Sequence, residues 1–364
     1  MYRSRVRGCL LGGAVGDALG YPIEFTSLDG IRATHGPRGV TGPTTGGPGA
    51  VHLISDDTQM TLFTVEALIA AHAREREKGI GGAWPTLLRE AYERWLETQS
   101  QTPSPSLSPS LSPSLSRSPS PSSSAPADRA ATGLLAEPWL HARRAPGNAC
   151  LSGIAQGYAP DPWIPLDGSP GPVNPDSKGC GTVMRSAPFG LLNTPDGAFA
   201  MAARGALITH GHPTGSYAAG ALAAIVAHLV AGESLEGAVL RALRLLRRHP
   251  GHQETSDALR AALDLAAEGA PTAEKVESLG AGWVAEEALA IGVYSALAAS
   301  DVRAALLLAV NHSGDSDSTG SLCGNLLGTR YGDHGLPHAW VRAVEGRATI
   351  AALADDLAAE CVPG

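Results

Sequence analysis

Four carboxylates stand in two short polar runs, Ser55-Asp56-Asp57-Thr58-Gln59 and Ser313-Gly314-Asp315-Ser316-Asp317-Ser318. Taken alone, Ser and Asp in such a run cap a helix N-terminus and complement its dipole. Both runs, however, open segments that read as deeply packed, and grouped carboxylates repel one another and resist burial unless something neutralises them. Carboxylates together with the hydroxyls of Ser55 and Ser318 form the ligand set of a hard divalent cation, which points to magnesium or manganese, with two ions. A calcium loop of the EF-hand type does not fit, because its spacing and its closing Glu are absent. Asp17 and Glu24, in GDALGYPIEF, add two further acids at the mouth of the first glycine-rich segment.

The elements that must position these groups read as helices, rich in Ala and Leu with few β-branched runs. Apolar residues at helical spacing predict helices over Thr58–Arg74, Thr86–Thr98, Ala198–Ile208, Ala218–Ala231, Leu235–Arg248, Ser256–Glu268, Trp283–Ala298 and Val302–Val310. Gly8, Gly12, Gly16 and Gly20 recur every fourth residue, as do Gly320, Gly324 and Gly328, so two more helices would each present a bare backbone stripe. Close packing of those stripes at the centre of a bundle is the simple reading, since each interior glycine costs about 0.8–1 kcal/mol relative to alanine. Gly30–His52 and residues 143–178 read as loops. The tandem PSLS segment at 101–127 cannot offset its ordering entropy and is expected to be a disordered Pro/Ser-rich insertion. The fold class is therefore all-α, a compact multi-helix bundle forming one domain over residues 1–364.

The chain carries 27 Lys and Arg against 35 Asp and Glu, a formal charge of −8. That is the wrong sign for holding a nucleic-acid backbone, so nucleic acid is unlikely as a partner except as a modified substrate. No run reaches the roughly 18 to 20 uninterrupted apolar residues of a bilayer helix, so no membrane partner is expected. Five cysteines, at 9, 150, 180, 323 and 361, form no CxxC pair, which suggests neither a disulfide framework nor a thiolate zinc site. A cytoplasmic, reducing location and a monomer are expected.

Six blocks in order make the reading specific. RVRGCLLGGAVGDALGYPIEF and SDDTQMTL are followed by SKGCGTVMRSAPFGLL at 177–192, THGHPTGSYAAGALAAIV at 209–226, GWVAEEALAIGVYSAL at 282–297 and NHSGDSDSTGSLCGNLLGTRYG at 311–332. The chain thereby resembles the ADP-ribosylglycohydrolase family, the group that includes the dinitrogenase reductase activating glycohydrolases and the ADP-ribosylarginine hydrolases. The resemblance implies an all-helical domain with a central dinuclear magnesium or manganese cleft. It assigns the metal ligands to Ser55, Asp56, Asp57, Asp315, Asp317 and Ser318, and puts Glu24 beside the metals as ligand or acid/base. Gly179, Cys180, Gly181, Met184 and Arg185 match the segment that lines the ADP-ribose pocket, and His210 matches a histidine near the substrate. Cys180 stands where several relatives have Asn, Ser313 where Gly is common, and Ser318 where Thr is usual. Asp176 and Ser177 stand near the position of a further family aspartate.

The reaction so implied is hydrolysis of the bond between ADP-ribose and an acceptor on a protein or small molecule, most readily an arginine guanidinium, through an oxocarbenium-like transition state. Glu24, Asp57 and Asp317 form the expected catalytic set, with Glu24 moving protons. Two rival readings use the same residues, a dinuclear-metal phosphohydrolase and a catalytically idle ADP-ribose-binding module.

Overall fold

The computed structural model describes residues 1–44, 50–79, 81–100 and 133–360. Regular structure within them is helical, apart from two isolated β-bridges that join His52 to Val344 and Gly179 to Val284. The first half carries α1 (Tyr2–Gly20), α2 (Leu28–His35), α3 (Asp56–Lys78), α4 (Trp84–Ser100), α5 (Asn148–Ile154), α6 (Ala187–Leu192) and α7 (Pro195–Ala206). The second half carries α8 (Pro213–Val230), α9 (Leu235–Leu246), α10 (Gln253–Ala267), α11 (Ala273–Glu277), α12 (Ala285–Ala298), α13 (Val302–Val310), α14 (Ser316–Tyr331), α15 (His338–Ala343) and α16 (Arg347–Glu360). The insertion expected at 101–127 and Cys361 lie outside the described residues.

The two glycine-striped helices meet as the spacing predicts. α1 and α14 run antiparallel, with Gly8 against Gly328, Gly12 against Gly324, Gly16 against Gly320 and Gly20 against Ser316. A Cβ on Gly8, Gly12 or Gly16 would fall 2.1, 2.2 or 1.9 Å from a carbonyl oxygen of the facing helix, well inside any real contact. Backbone therefore packs on backbone. The Asn325 amide donates to the Cys9 carbonyl across the same seam at 2.9 Å. Because the helices are antiparallel, the C-terminal end of α1 is fixed beside the N-terminal end of α14, and the acids of both ends meet there.

Around this pair lies an apolar core built mostly from small residues. α8 is its buried centre, flanked by α7, α9 and α6. With 18 residues and a mean hydropathy of 1.3 it has the length and composition of a membrane-crossing helix, which the sequence reading did not single out. Yet 83% of it is buried inside the protein, as a core helix is. Its N-terminus is capped by His212, whose Nδ1 accepts from the Thr214 amide at 3.2 Å.

Two regions differ from the expectation of loop, and a helix beyond the last motif was not anticipated. Residues 28–35 form α2 because Ser27 caps its N-terminus, accepting from Gly30 N, while Leu28 and Ile31 face the core. Asn148–Ile154 form a short helix inside the 143–178 segment. Beyond the last motif, α16 buries Ile350, Ala354, Leu357 and Ala358 and clamps the start of the chain, with Asp355 accepting from Arg3 and Arg7.

Candidate active site

The acidic groups converge at the joint of α1, α3 and α14. Ser55 caps α3, its hydroxyl accepting from Asp57 N at 3.3 Å. A second cap comes from α1: Asp17 accepts from Ser55 N at 2.9 Å and from Thr58 N at 3.1 Å, and it also receives the Thr58 hydroxyl. Asp17 is wholly buried. It thus fixes the turn that presents Asp56 and Asp57, a role that sequence reasoning missed. An acid interrupting an otherwise apolar glycine helix is the signal that could have found it.

The second run is held as firmly. Asp315 caps α14, accepting from Ser318 N at 3.3 Å, while Asp317 accepts from the same amide at 3.0 Å. Gly314 has φ +134°, and a side chain there would strike the Ala281 carbonyl, so only glycine fits the turn. Ser313 ties the turn to two other elements: its hydroxyl accepts from Leu28 N at 2.8 Å and donates to Glu277 at 2.6 Å. The serine that departs from the commoner glycine therefore has a structural role in this chain.

Glu24 follows a 3₁₀ turn, Tyr21–Ile23, that extends α1. One carboxylate oxygen each from Glu24, Asp315 and Asp317 lie within 4.8 Å of one another. Asp57 Oδ1 and Asp315 Oδ2 are buried and accept no hydrogen bond among the described residues. Buried carboxylate oxygens without donors are costly, and a cation is the partner that would satisfy them, so the residues present fit a hard divalent metal. The electrostatics agree. Burial, and then the Asp317 charge, push Asp17 up to about 7 and Glu24 up to about 10, with Asp315, Asp56 and Asp17 adding to the effect on Glu24. Asp56, Asp57 and Asp315 are held well above the usual carboxylate range by the same causes in the same order. Such a set ionises together only when positive charge sits among it.

These groups form one wall of a cleft of about 330 Å³. Gly179, Cys180, Gly181, Met184 and His210 line the same cleft, so five of the six predicted substrate-side residues are brought to the acids. Gly179–Gly181 enter a single 3₁₀ turn, Cys180–Thr182. Arg185, the sixth, lies behind the wall. Its guanidinium donates to Thr209 Oγ1 at 2.6 Å and stacks over the Tyr92 ring at 4.5 Å, with no carboxylate paired to it among the described residues. His210 Nδ1 bonds that same Thr209 hydroxyl at 2.7 Å, and burial, with Arg185 nearby, lowers the imidazole to about 3. His210 is therefore neutral at physiological pH. Burial, followed by the Asp315 and Asp57 charges, holds the Cys180 thiol well above its ordinary value. Ser177 lines the cleft, whereas Ser55, which is buried, and Asp176, which is exposed, do not. Tyr217 is a core residue whose hydroxyl donates to the Pro250 carbonyl at 2.9 Å.

At the mouth, Phe25 stacks on Trp283 with centroids 5.1 Å apart. Phe25 is a non-glycine residue at φ +64° and is 71% exposed, a combination that strains the backbone and leaves a large apolar ring in water. Neither aromatic was singled out from the sequence.

A helical bundle whose glycine-packed central pair delivers buried acids to one cleft is an all-α scaffold carrying an acidic centre fit for a divalent cation. The family profile of the ADP-ribosylglycohydrolases matches residues 1–364, and the chain belongs to that family. It is 24% identical over 349 residues to the ADP-ribosyl-[dinitrogen reductase] glycohydrolase of Rhodospirillum rubrum, covering 94% of this chain and 90% of that protein. It is 27% identical over 361 residues to an uncharacterised protein of Archaeoglobus fulgidus, covering 97% and 95%. A solved structure described as an ADP-ribosylglycohydrolase-related protein complex shares the fold, with a TM-score of 0.60 over 99% of both chains at 23% identity. Family membership makes the protein a hydrolase of ADP-ribose linkages.

Proposed function

We propose that the protein hydrolyses the N-glycosidic bond between ADP-ribose and an arginine side chain of a modified protein, using two magnesium or manganese ions. The observation that carries the metal dependence is the pair of donorless buried oxygens, Asp57 Oδ1 and Asp315 Oδ2, among acids drawn from three helices. Asp56, Asp57, Asp315 and Asp317, with the hydroxyls of Ser55 and Ser318, would hold the ions. Bound there, such ions supply Lewis acidity and lower the pKa of a water.

The rest falls to the chain. Glu24, half-buried at the mouth and held protonated by its neighbours while they are unneutralised, is placed to carry a proton between the attacking water and the departing nitrogen. A guanidine is itself basic, so its departure needs little acid assistance. Neutral His210 and the Gly179–Gly181 segment line the same cleft as the acids, where the diphosphate of the substrate would lie against them. The acidic lining and the net charge of −8 favour a cationic acceptor. Among the described residues Cys9, Cys150, Cys180 and Cys323 are free thiols, which supports a reducing, cytoplasmic setting.

The test is release of free ADP-ribose from an arginine-ADP-ribosylated protein, with added magnesium or manganese and after chelation. Metal-dependent release supports the proposal. Release of phosphate would favour a phosphohydrolase, and ADP-ribose binding without turnover on arginine-, serine- or base-linked substrates would favour an idle module.

A further inference from the structure

We propose that Arg185, acting through the Thr209 hydroxyl, fixes the His210 ring with its proton on Nε2, so that the cleft holds a preset N–H donor for an anionic oxygen of the substrate's diphosphate. Arg185 and Thr209 are then positioning residues, and His210 is the group that meets the ligand. The phosphate half of the proposal rests on the reading of the cleft as an ADP-ribose site, and the tautomer half does not. The proton count runs from the guanidinium outward. A guanidinium can only donate, so the 2.6 Å bond from Arg185 Nη2 makes Thr209 Oγ1 an acceptor. The hydroxyl keeps one proton to give, and two acceptors are in range, His210 Nδ1 at 2.7 Å and the Ala206 carbonyl at 3.4 Å. That carbonyl already receives the amides of Thr209 at 3.1 Å and His210 at 3.0 Å. The hydroxyl proton therefore goes to Nδ1, and a neutral ring whose Nδ1 accepts bears its hydrogen on Nε2.

Arg185 has no alternative oxygen to turn to. It is 1% exposed, its other contacts are Met60 Sδ at 3.7 Å, Cys150 Sγ at 3.6 Å and the Tyr92 ring, and Thr209 Oγ1 is its one hydrogen-bonded oxygen among the described residues. At the other end of the chain, His210 is 2% exposed, lines the cleft, and its Nε2 has no hydrogen-bond partner among the described residues. A Cβ on Gly179 would come 3.1 Å from Nε2 and one on Gly181 3.5 Å from it, so bare backbone flanks that edge of the ring. A buried donor left unpaired is costly, and an anionic oxygen of a ligand in the cleft is the acceptor that satisfies it.

Nuclear magnetic resonance of the full chain carrying nitrogen-15 histidine, through long-range proton–nitrogen correlations near neutral pH, reads the tautomer directly. The His210 signals, assigned by their loss in His210→Ala, should show Nε2–H alone in the ligand-free wild type and in Thr209→Ser. Thr209→Val and Arg185→Met, each with far-ultraviolet dichroism unchanged, should give nitrogen shifts averaged between the two tautomers. An Nδ1–H ring in the wild type, which needs no variant to fold, overturns the proposal, and so does a pure Nε2–H ring in both Thr209→Val and Arg185→Met. Added ADP-ribose should move the wild-type Nε2–H resonance, and its affinity by calorimetry should fall about 10- to 100-fold in His210→Ala, the range for a hydrogen bond to a charged group. ADP-ribose that binds without moving that resonance refutes the phosphate donor. If ADP-ribose does not bind the wild type at all, the reading of the cleft fails with it, while the tautomer stands or falls on the ligand-free spectrum.

Discussion

The seam between α1 and α14 can be loaded one methyl at a time. In Gly16→Ala the new Cβ would lie 1.9 Å from the Gly320 carbonyl oxygen, about 1.5 Å inside ordinary contact. The obstructing atoms are backbone, so neither partner can rotate away and the helices must move apart. Overpacking of this kind costs about 3 kcal/mol, at the upper end of its usual range, and the helix-propensity gain of alanine returns about 1 kcal/mol. A net loss of about 2 kcal/mol should lower Tm by about 3 °C for a chain of this size. Gly8→Ala, at 2.1 Å from the Gly328 carbonyl, meets the same obstacle at the other end of the seam. Both variants should lose comparable stability, but Gly16→Ala should also weaken manganese binding, because Asp17 and the start of α14 lie within a turn of it. Calorimetric melting and manganese titration of the two variants decide the matter. An unchanged or higher Tm in Gly16→Ala, or equal metal affinity in both, would refute the claim that this seam sets the position of the acids.

Asp315→Asn and Asp57→Asn should each lower ADP-ribose release and metal affinity by more than about 100-fold with far-ultraviolet dichroism unchanged; full activity in both would remove these residues from the centre. Asp17→Asn should cost about 1–2 kcal/mol through the weakened cap on α3 and about 10- to 100-fold in metal affinity, measured by melting and by titration. The pH dependence has a definite sign. Asp17, raised to about 7 by burial and then by Asp317, contributes stability that is complete below its unfolded value of about 4 and lost as pH rises through about 7, and Glu24 extends the loss upward toward about 10. Chelated protein should therefore melt lower at about pH 8 than at about pH 5, and added magnesium should raise Tm more at the higher pH; a metal-induced shift that is larger at the lower pH would contradict the electrostatics.

Much of the site was legible because capping and chemistry use the same atoms. Asp56, Asp57, Asp315 and Asp317 announce themselves as polar residues at helix starts, and the glycine spacing shows which helices must touch. Other parts were hidden for physical reasons. Asp17 caps a helix 38 residues away in sequence, and no local pattern encodes that contact. α2 is eight residues with a glycine inside it, so its helical period is too short to read. Arg185 falls in the segment matched to the pocket lining, and only the packed structure shows its donor directed to Thr209 and its plane laid on Tyr92. Phe25 could not be foreseen as an exposed ring at positive φ, since strain of that sort is imposed by tertiary contacts.

The seam and the centre are one design problem. Bringing Asp17, Glu24, Asp315 and Asp317 within reach of one another requires two helix ends to approach almost backbone to backbone, which any side chain at Gly16, Gly20 or Gly320 would prevent. Gathered there, the acids resist ionising: burial, and after it the Asp317 charge, raises both Asp17 and Glu24, and repulsion among ionised neighbours would push those ends apart. The opposing grip is spread along the whole length of α1 and α14, through Gly12, Gly8 and the Asn325 amide, and continues to α16 through Arg3, Arg7 and Asp355. A helix pair held only near the acids would yield to their repulsion. Held along its entire length, it keeps the carboxylates gathered for a cation to bind, and the helices need not rearrange when it does.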